Sequence, residues 1–364
     1  MSHQKVIFYL IIVLMLIIGC KDKSHLNSIY VDQNTSIVLN YGDYKINKLV
    51  PLKHKYIQLG EAMKVITHIN KIFIQDEMKT SSIFCFDLNG NYQFHLSSGR
   101  GPGEFLIPED FVIYDNKLVV FDSWGNRVFY YDIDGNFLLS KPSLVRPYNV
   151  DVFEDNLLIR PYIYGPEELE KDYNLIITDI GFNNIRNNFL KGLHRSEDIA
   201  FPRVFSNQYN DHILHSYGYN DTIYKITHKD LRPYLYIEFK GDKISDHLIK
   251  HRTPKEVLIE FNNTNKNYAS RIWNILESSR YISFDYRHGS EIKHIVYEKG
   301  NNKSGVKNIS KIRNDSLGIN IPFPSYVHDE QYVSILFSDN IDDDSPIKDE
   351  MNEYAYLVLY EYQL

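Results

Sequence analysis

The chain has 364 residues, of which 43% are hydrophobic, 24% are charged and 14% are aromatic. The apolar fraction is that of a globular protein and is too high for a disordered chain. A formal net charge of −7 argues against a nucleic-acid partner, and two cysteines are too few for a disulfide scaffold or a multi-cysteine metal site.

The chain begins with a short apolar stretch that predicts a targeting signal. Residues 6–18 are thirteen consecutive apolar residues, and Lys5 precedes them. A helix of this length rises about 20 Å, which is less than the roughly 30 Å hydrocarbon core of a bilayer. The stretch therefore predicts a signal peptide over residues 1–19 and not a membrane span.

The apolar stretch ends in Ile17-Ile18-Gly19-Cys20, which is similar to the lipobox of bacterial lipoproteins. Cys20 is accordingly predicted to carry acyl chains, which would anchor the mature protein to a membrane. The alternative is an ordinary secretory signal that happens to precede a cysteine. Residues 20–50 are polar at first, and we expect them to form a tether that leads into the first strand.

A repeat of about 45 residues follows the tether. Its clearest copies span residues 72–92 and 118–137, and their glycines, Gly90 and Gly135, are 45 residues apart. Each glycine follows Asn or Asp in a pair that supplies the positive φ of a tight hairpin. Weaker copies span residues 157–179, 213–226, 281–298 and 332–362.

Six such units predict an all-β fold, a six-bladed β-propeller over residues 51–364, because stacking around an axis buries both faces of every unit. A pair of β-sandwiches is the alternative, but that fold would not require a repeat of about 45 residues.

Residues 231–276 interrupt the repeat and predict a small helical insertion. Thr253-Pro254-Lys255-Glu256 has the pattern of a capping box with proline at the first helical position. A second helical turn is expected over residues 270–276. The insertion is expected either to pack on the propeller or to form a lid over its channel.

Between the first two copies of the repeat lies Ser98-Gly99-Arg100-Gly101-Pro102-Gly103-Glu104-Phe105, here called the Gly-rich loop. It is similar to the GxGPGEF signature of the six-bladed β-propeller lipoproteins common in Bacteroidetes, which are related in pattern to NHL-type propellers. Cys20 and the segment Asp221-Thr222-Ile223-Tyr224 agree with that family. The resemblance covers essentially the whole mature chain. It implies a propeller fold and an envelope location, and an association with glycan or peptide uptake, but no particular activity.

Four residues are candidates for ligand binding. Arg100 and Glu104 lie in the Gly-rich loop, which we expect at the channel mouth; the alternative is that they only shape a turn. Arg146 and Arg203 stand beside prolines before the third and fourth copies of the repeat. If these loops converge, the three arginines form a positive ring that suits a carboxylate or sulfate. The alternative is that the arginines form salt bridges between blades.

The sequence predicts no catalytic residue, metal ligand or cofactor. The 14 histidines are dispersed, and none belongs to a His-Glu-x-x-His motif. The Gly-rich loop lacks the third glycine of a dinucleotide-binding loop, and residues 132–136 lack the remaining ligands of a calcium loop. No Gly-x-Ser-x-Gly nucleophile elbow is present. These observations favour a non-catalytic protein and leave an enzyme open.

Three functions are consistent with this sequence. The first is a lipoprotein of the outer membrane whose channel mouth binds a glycan, a peptide or an anionic small molecule. The second is a structural partner of an outer-membrane transport or assembly complex, and the third is a propeller lyase or hydrolase. A polar funnel lined by Arg and Tyr would favour the first, a wide apolar face the second, and a central cluster of histidines or carboxylates the third.

Overall fold

The computed structural model describes residues 26–53, 59–60, 62–76, 79–161, 173–191, 203–218, 220–241, 256, 259–260, 268–301, 305–351 and 355–364. The predicted signal peptide and Cys20 lie outside the described residues. Within them, six sheets follow one another along the chain and confirm the six-bladed β-propeller.

Blades 1 to 3 are four-stranded antiparallel sheets built from consecutive strands. From the channel outward, blade 1 contains β4 (Ala62–His68), β5 (Lys71–Asp76), β6 (Ser82–Asp87) and β7 (Tyr92–Leu96). Blade 2 contains β8 (Asp110–Tyr114), β9 (Lys117–Asp122), β10 (Arg127–Asp132) and β11 (Phe137–Pro142). Blade 3 contains β12 (Pro147–Phe153), β13 (Asn156–Pro161), β14 (Tyr173–Asp179) and β15 (Ile185–Lys191).

Blades 4 to 6 each gain a strand from the N-terminal part of the chain. Blade 4 contains β16 (Ile213–His215), β17 (Thr222–Ile226), β18 (Leu231–Phe239) and, outermost, β1 (Asn27–Val31). Blade 5 contains β19 (Ala269–Glu277), β20 (Tyr281–His288), β21 (Glu291–Glu298), β22 (Val306–Asn314) and, outermost, β2 (Ile37–Leu39), with β23 (Ile319–Ile321) also paired to β22. Blade 6 contains β24 (Tyr326–His328), β25 (Gln331–Leu336), β26 (Tyr356–Tyr362) and, outermost, β3 (Tyr44–Pro51).

The innermost position of blade 4 is filled by residues 203–209, which make isolated bridges to the strand beside them, Phe205 to His215 and Tyr209 to His212. A 3-10 turn (Ser338–Asn340) and a one-turn helix, α1 (Lys348–Met351), lie between β25 and β26.

The tether expected over residues 20–50 is replaced, from residue 27 onward, by three strands. We call residues 26–51 the N-terminal belt. β1 and β2 run parallel to β18 and β22, whereas β3 is antiparallel to β26. The belt folds onto the blades because Ile29, Val31 and Leu39 alternate with exposed residues and are at most 1% exposed.

Six buried hydrophobic clusters, counted among the described residues, coincide with the six interfaces between neighbouring blades. Phe73 of blade 1 packs in one cluster with Phe111 of blade 2, for example. The cluster that joins blade 6 to blade 1 contains Val50 and Leu357 together with Ile74. The ring is therefore closed by packing between the last and first blades, with an N-terminal strand as part of the last blade.

The boundaries expected for the helical insertion were wrong. Leu231–Phe239 is β18 and Ala269–Glu277 is β19, so the ends of the predicted insertion are blade strands. Residues 270–276 form a strand and not a helical turn because Ile272, Ile275 and Leu276 are buried between blades. Glu256, Ile259 and Glu260 are helical, and the rest of the predicted helix lies outside the described residues.

The turns fix the two faces of the propeller. In five blades the first strand joins the second through a two-residue turn, as at Asp115-Asn116, and at least one residue of each such turn has positive φ. We call this side the turn face. The segments that lead from one blade to the next, including the Gly-rich loop, lie on the opposite side, which we call the crossover face.

Candidate functional site

The channel at the centre of the ring contains a cavity of about 500 Å³. Its wall is formed by the first strands of the blades and by the segment that takes their place in blade 4. The lining residues are Lys64, Ile66, Val112, Ile113, Asp151, Val152, Arg203, Asn207, Gln208, Tyr209, Glu277, Tyr326, Val327, His328, Asp329 and Glu330.

Arg203 forms the floor of this cavity. Its guanidinium donates hydrogen bonds to the backbone oxygens of Val65 in blade 1, at 3.2 Å, and of Ser325 beside blade 6. The guanidinium carbon also lies 5.4 Å from the ring centre of Tyr326. Because blade 1 is opposite blade 4 in a six-membered ring, the side chain crosses the channel near the crossover face. The cavity therefore opens toward the turn face.

A second set of contacts at the same level ties blades 1, 2 and 3 together. Lys64 Nζ lies 2.7 Å from Asp110 Oδ1 and donates a hydrogen bond to the backbone oxygen of Val150 at 3.0 Å. The other oxygen of Asp110 accepts a hydrogen bond from the backbone nitrogen of Val150 at 2.6 Å. Lys64 and Asp110 are both buried. A buried ion pair with these additional hydrogen bonds fixes the relative positions of three blades.

Asp151 faces the channel beside these two cations. Burial raises the pKa of its carboxyl above the ordinary value, and the charges of Lys64 and Arg203 partly oppose that shift. The floor of the cavity thus contains two acidic residues, Asp110 and Asp151, and two basic residues, Lys64 and Arg203. Its acidic and basic side chains are therefore equal in number.

The wall on the side of blades 4 and 5 contains a further buried carboxylate. Glu277 Oε1 lies 2.6 Å from Lys299 Nζ, and Glu277 Oε2 lies 2.9 Å from His212 Nε2. The ammonium of Lys299 is also 4.0 Å from the ring centre of Tyr209. Asn207 exchanges two hydrogen bonds with the backbone of Glu277, at 2.9 Å each. These contacts compensate the charge of Glu277 and hold the ring of Tyr209 at the cavity.

The rim on the turn face is polar and open. His328 Nδ1 is 2.7 Å from Thr67 Oγ1, and His328 Nε2 is 3.4 Å from Asp329. Glu330 is exposed and accepts a hydrogen bond from the backbone nitrogen of Ser279 at 2.6 Å. Gln208 is also exposed beside the opening. A ligand that enters from this face would meet hydrogen-bonding side chains first.

The Gly-rich loop lies elsewhere. Gly103 has a φ of +79° and packs against the ring of Phe137 on β11, the outermost strand of blade 2. Phe105 is 1% exposed and packs edge-on against Phe129 between blades 1 and 2. The loop therefore occupies the outer part of the seam between these blades. The absence of a Cβ at Gly103 permits both the positive φ and the contact with Phe137.

Within the loop, Glu104 holds the turn by accepting a hydrogen bond from the backbone nitrogen of Gly101 at 2.6 Å. Arg100 is exposed, and Arg146 is half-buried. Neither these arginines nor Glu104 lines the cavity, whereas Arg203 does. The expected ring of three arginines at the channel mouth is therefore not formed. The connecting loops reach the channel at their last residues only, and Arg100 lies too early in its loop.

Sequence reasoning missed Lys64, Asp151, Glu277 and Tyr209. The available signal was a charged side chain flanked by apolar residues within a strand, as in Val150-Asp151-Val152. Among the described residues, no group of three or more His, Cys, Asp or Glu side chains is placed to hold a metal ion. In the same part of the chain, no helix is both long and apolar enough to span a membrane.

Fold and cavity together define a six-bladed β-propeller whose channel is crossed by an arginine and carries a polar cavity on one side. The chain belongs to a family described as "Domain of unknown function (DUF4934)", whose sequence profile matches residues 55–355. None of the curated proteins matches its sequence at a significant level.

Two solved structures from Bacteroides share the architecture. One, from Bacteroides fragilis NCTC 9343, is described as a "putative exported protein"; it superposes with a TM-score of 0.73 at 18% identity, over 93% of this chain and 99% of that one. The other is a member of the DUF4221 family from Bacteroides vulgatus ATCC 8482, with a TM-score of 0.53 at 13% identity, over 88% of this chain and 98% of that one. At these identities the likeness shows the fold.

Proposed function

We propose that this protein is a non-catalytic lipoprotein of the cell envelope whose channel cavity binds a short glycan. The observation that carries the proposal is the cavity of about 500 Å³, which opens on the turn face and is lined by Tyr, Asn, Gln and His residues together with residues of both charges. Cavities of this size, with a few convergent polar groups, are typical of small-molecule sites.

The charges of the cavity favour a neutral polar ligand over an anion. Lys64 is paired with Asp110, and Arg203 is engaged by backbone oxygens and lies near Asp151. The three predicted arginines do not converge, so the site lacks the positive field that would select a carboxylate or sulfate. A glycan offers many hydroxyl groups for Gln208 and an apolar ring face for the tyrosines.

Two observations support the envelope location. The segment Ile17-Ile18-Gly19-Cys20 follows an apolar stretch of signal-peptide length, and acylation of Cys20 would anchor the chain. The Bacteroides fragilis structure described as a "putative exported protein" has the same fold. We propose that the anchored protein lies at the outer membrane.

Calorimetric titration of the folded protein tests the binding proposal. The probes are neutral tri- and tetrasaccharides, an oligosaccharide of galacturonic acid of matched length, and uncharged tripeptides. We expect a neutral saccharide to bind and Gln208→Ala to weaken that binding about five- to tenfold, because one or two hydrogen bonds are lost at the rim.

Arg100→Ala is the matched control, since its side chain is also exposed but lies outside the cavity. We expect it to bind like the wild type. Preference for the uronate, or weaker binding by Arg100→Ala than by Gln208→Ala, would contradict the proposed site.

A further inference from the structure

The N-terminal belt exposes an unusual number of large apolar side chains. Five of the sixteen large hydrophobic residues that are exposed in the described part of the chain fall within the sixteen positions from residue 26 to residue 41. They are Leu26 (40% exposed), Tyr30 (51%), Ile37 (45%), Val38 (44%) and Tyr41 (74%). They lie on or beside β1 and β2, the outermost strands of blades 4 and 5.

The same segment is nearly free of charge. From Leu26 to Gly42 the only charged side chain is Asp32, and its carboxylate lies 2.7 Å from Lys240 Nζ. The next acid, Asp43, accepts a hydrogen bond from the backbone nitrogen of Asn40 at 2.9 Å. If this surface moved into an apolar or interfacial environment, no unpaired carboxylate from residues 26–42 would lose its hydration.

The belt is also tied to the proposed anchor by a short length of chain. Six peptide units separate Cys20 from Leu26. A fully extended chain of that length spans at most about 22 Å. If Cys20 carries acyl chains in a bilayer, the start of β1 cannot lie farther than this from the lipid attachment point.

We propose that the N-terminal belt lies on the lipid surface, so that Leu26, Tyr30, Val38 and Tyr41 contact the headgroup region. This inference rests on the proposed acylation of Cys20. The propeller then stands on the outer rims of blades 4 and 5, with its channel axis along the membrane plane. Blades 1 and 2, which are opposite blades 4 and 5 in the ring, point away from the bilayer, and the cavity opens sideways. Tyr30 and Tyr41 are suited to this depth because a tyrosine has an apolar ring and a polar hydroxyl.

Depth-sensitive labelling of the full lipidated protein in phosphatidylethanolamine–phosphatidylglycerol vesicles tests this orientation. One variant, Val38→Cys, places an NBD fluorophore on the belt. The matched control, Leu138→Cys, places it on the outermost strand of blade 2, where the native side chain has similar exposure, 46% against 44%. The native Cys85 is fully buried, and burial raises the pKa of its thiol to about 12, so it will not react.

We expect lipids that carry a nitroxide on the headgroup to quench the label at position 38 at least threefold more than the label at position 138. Equal quenching at the two positions would overturn the orientation. Protection of the label at position 38 from solvent in whole envelopes but not in pure vesicles would also overturn it, since that result points to a protein partner. Mass spectrometry of the N-terminal peptide reports acylation of Cys20 separately. Lack of acylation would contradict the proposed anchor, whereas an acylated protein with an unquenched label would contradict only the orientation.

Discussion

Arg203 illustrates how one residue can both hold the ring and shape the cavity. Its guanidinium reaches backbone oxygens on the far side of the channel and stacks on Tyr326. Burial lowers the pKa of this guanidinium, but Asp151 and the carbonyl oxygens favour the charged form. Removing the charge would leave those carbonyl oxygens without a donor and Asp151 with one fewer cation.

We therefore expect Arg203→Met to lower the free energy of unfolding by about 3 kcal/mol, because a half-buried charged group with several partners is lost. Urea denaturation measures this effect. Arg100→Met serves as the control and is expected to stay within about 0.5 kcal/mol of the wild type, since Arg100 is exposed. Similar losses in the two variants would show that Arg203 does not brace the channel.

His215 gives the protein a pH dependence of its own. It is fully buried, and burial, together with the charge of Arg160, lowers the pKa of its imidazole to about 3. The ordinary value in an unfolded chain is about 6.5. Below pH 6.5 the unfolded chain therefore takes up a proton that the folded chain does not, so stability is highest above pH 6.5 and falls toward pH 3.

The expected slope from His215 approaches about 1.4 kcal/mol per pH unit. His215→Phe keeps a ring that can stack on Phe205, 4.7 Å away in the wild type, and removes the titrating group. We expect a shallower loss of stability for the variant than for the wild type in urea titrations at pH 6.5, 5.5 and 4.5. Parallel curves would rule out His215 as the source.

At the scale of elements, the N-terminal belt is the part that makes the ring continuous. β3 supplies the outer strand of blade 6 and pairs with β26 near the end of the chain. Tyr44 on β3 is 1% exposed, packs edge-on against Tyr360 and donates a hydrogen bond to the backbone oxygen of Arg313 in blade 5. One side chain of the belt thus joins the last two blades.

Tyr44→Ala is expected to lower the free energy of unfolding by about 4 kcal/mol, because a buried aromatic side chain and its hydrogen bond are lost. Tyr41→Ala, three residues earlier and 74% exposed, is expected to change it by less than about 0.5 kcal/mol. Denaturation of both variants by urea provides the comparison. A small effect of Tyr44→Ala would mean that the ring does not depend on β3.

The repeated blades could be predicted from the sequence, whereas the belt could not. Asn89-Gly90 and Asp134-Gly135 mark equivalent hairpins, and β9, with Leu118 to Phe121 all buried, has the uniformly apolar pattern of a strand covered on both sides. β1 and β2 are three to five residues long and pair in parallel with strands some 200 or more residues away. No local pattern specifies such pairing.

The candidate site was predictable only in part. Arg203 lines the channel cavity and Arg100 does not, because blade geometry decides how far along each connecting loop the channel is reached. Lys64 and Asp151 lie on innermost strands, but the repeat in the sequence does not show which of their side chains face the channel.

At the scale of the whole molecule, closure of the ring and the proposed binding site use the same residues. Lys64, Asp110 and Arg203 link blades 1, 2, 3, 4 and 6 around the axis, and their side chains also form the end of the cavity. A rigid floor of this kind holds the lining groups in place before a ligand arrives, which reduces the entropy lost on binding. The cavity is thus a consequence of how the ring is closed.

A crystal structure of the protein with the saccharide that binds most tightly in the titrations tests the central claim most directly. The expected result is density for the sugar inside the channel, on the turn-face side of Arg203, in contact with Gln208, Tyr209 and Tyr326. Density at the Gly-rich loop, on the outer seam between blades 1 and 2, would contradict it.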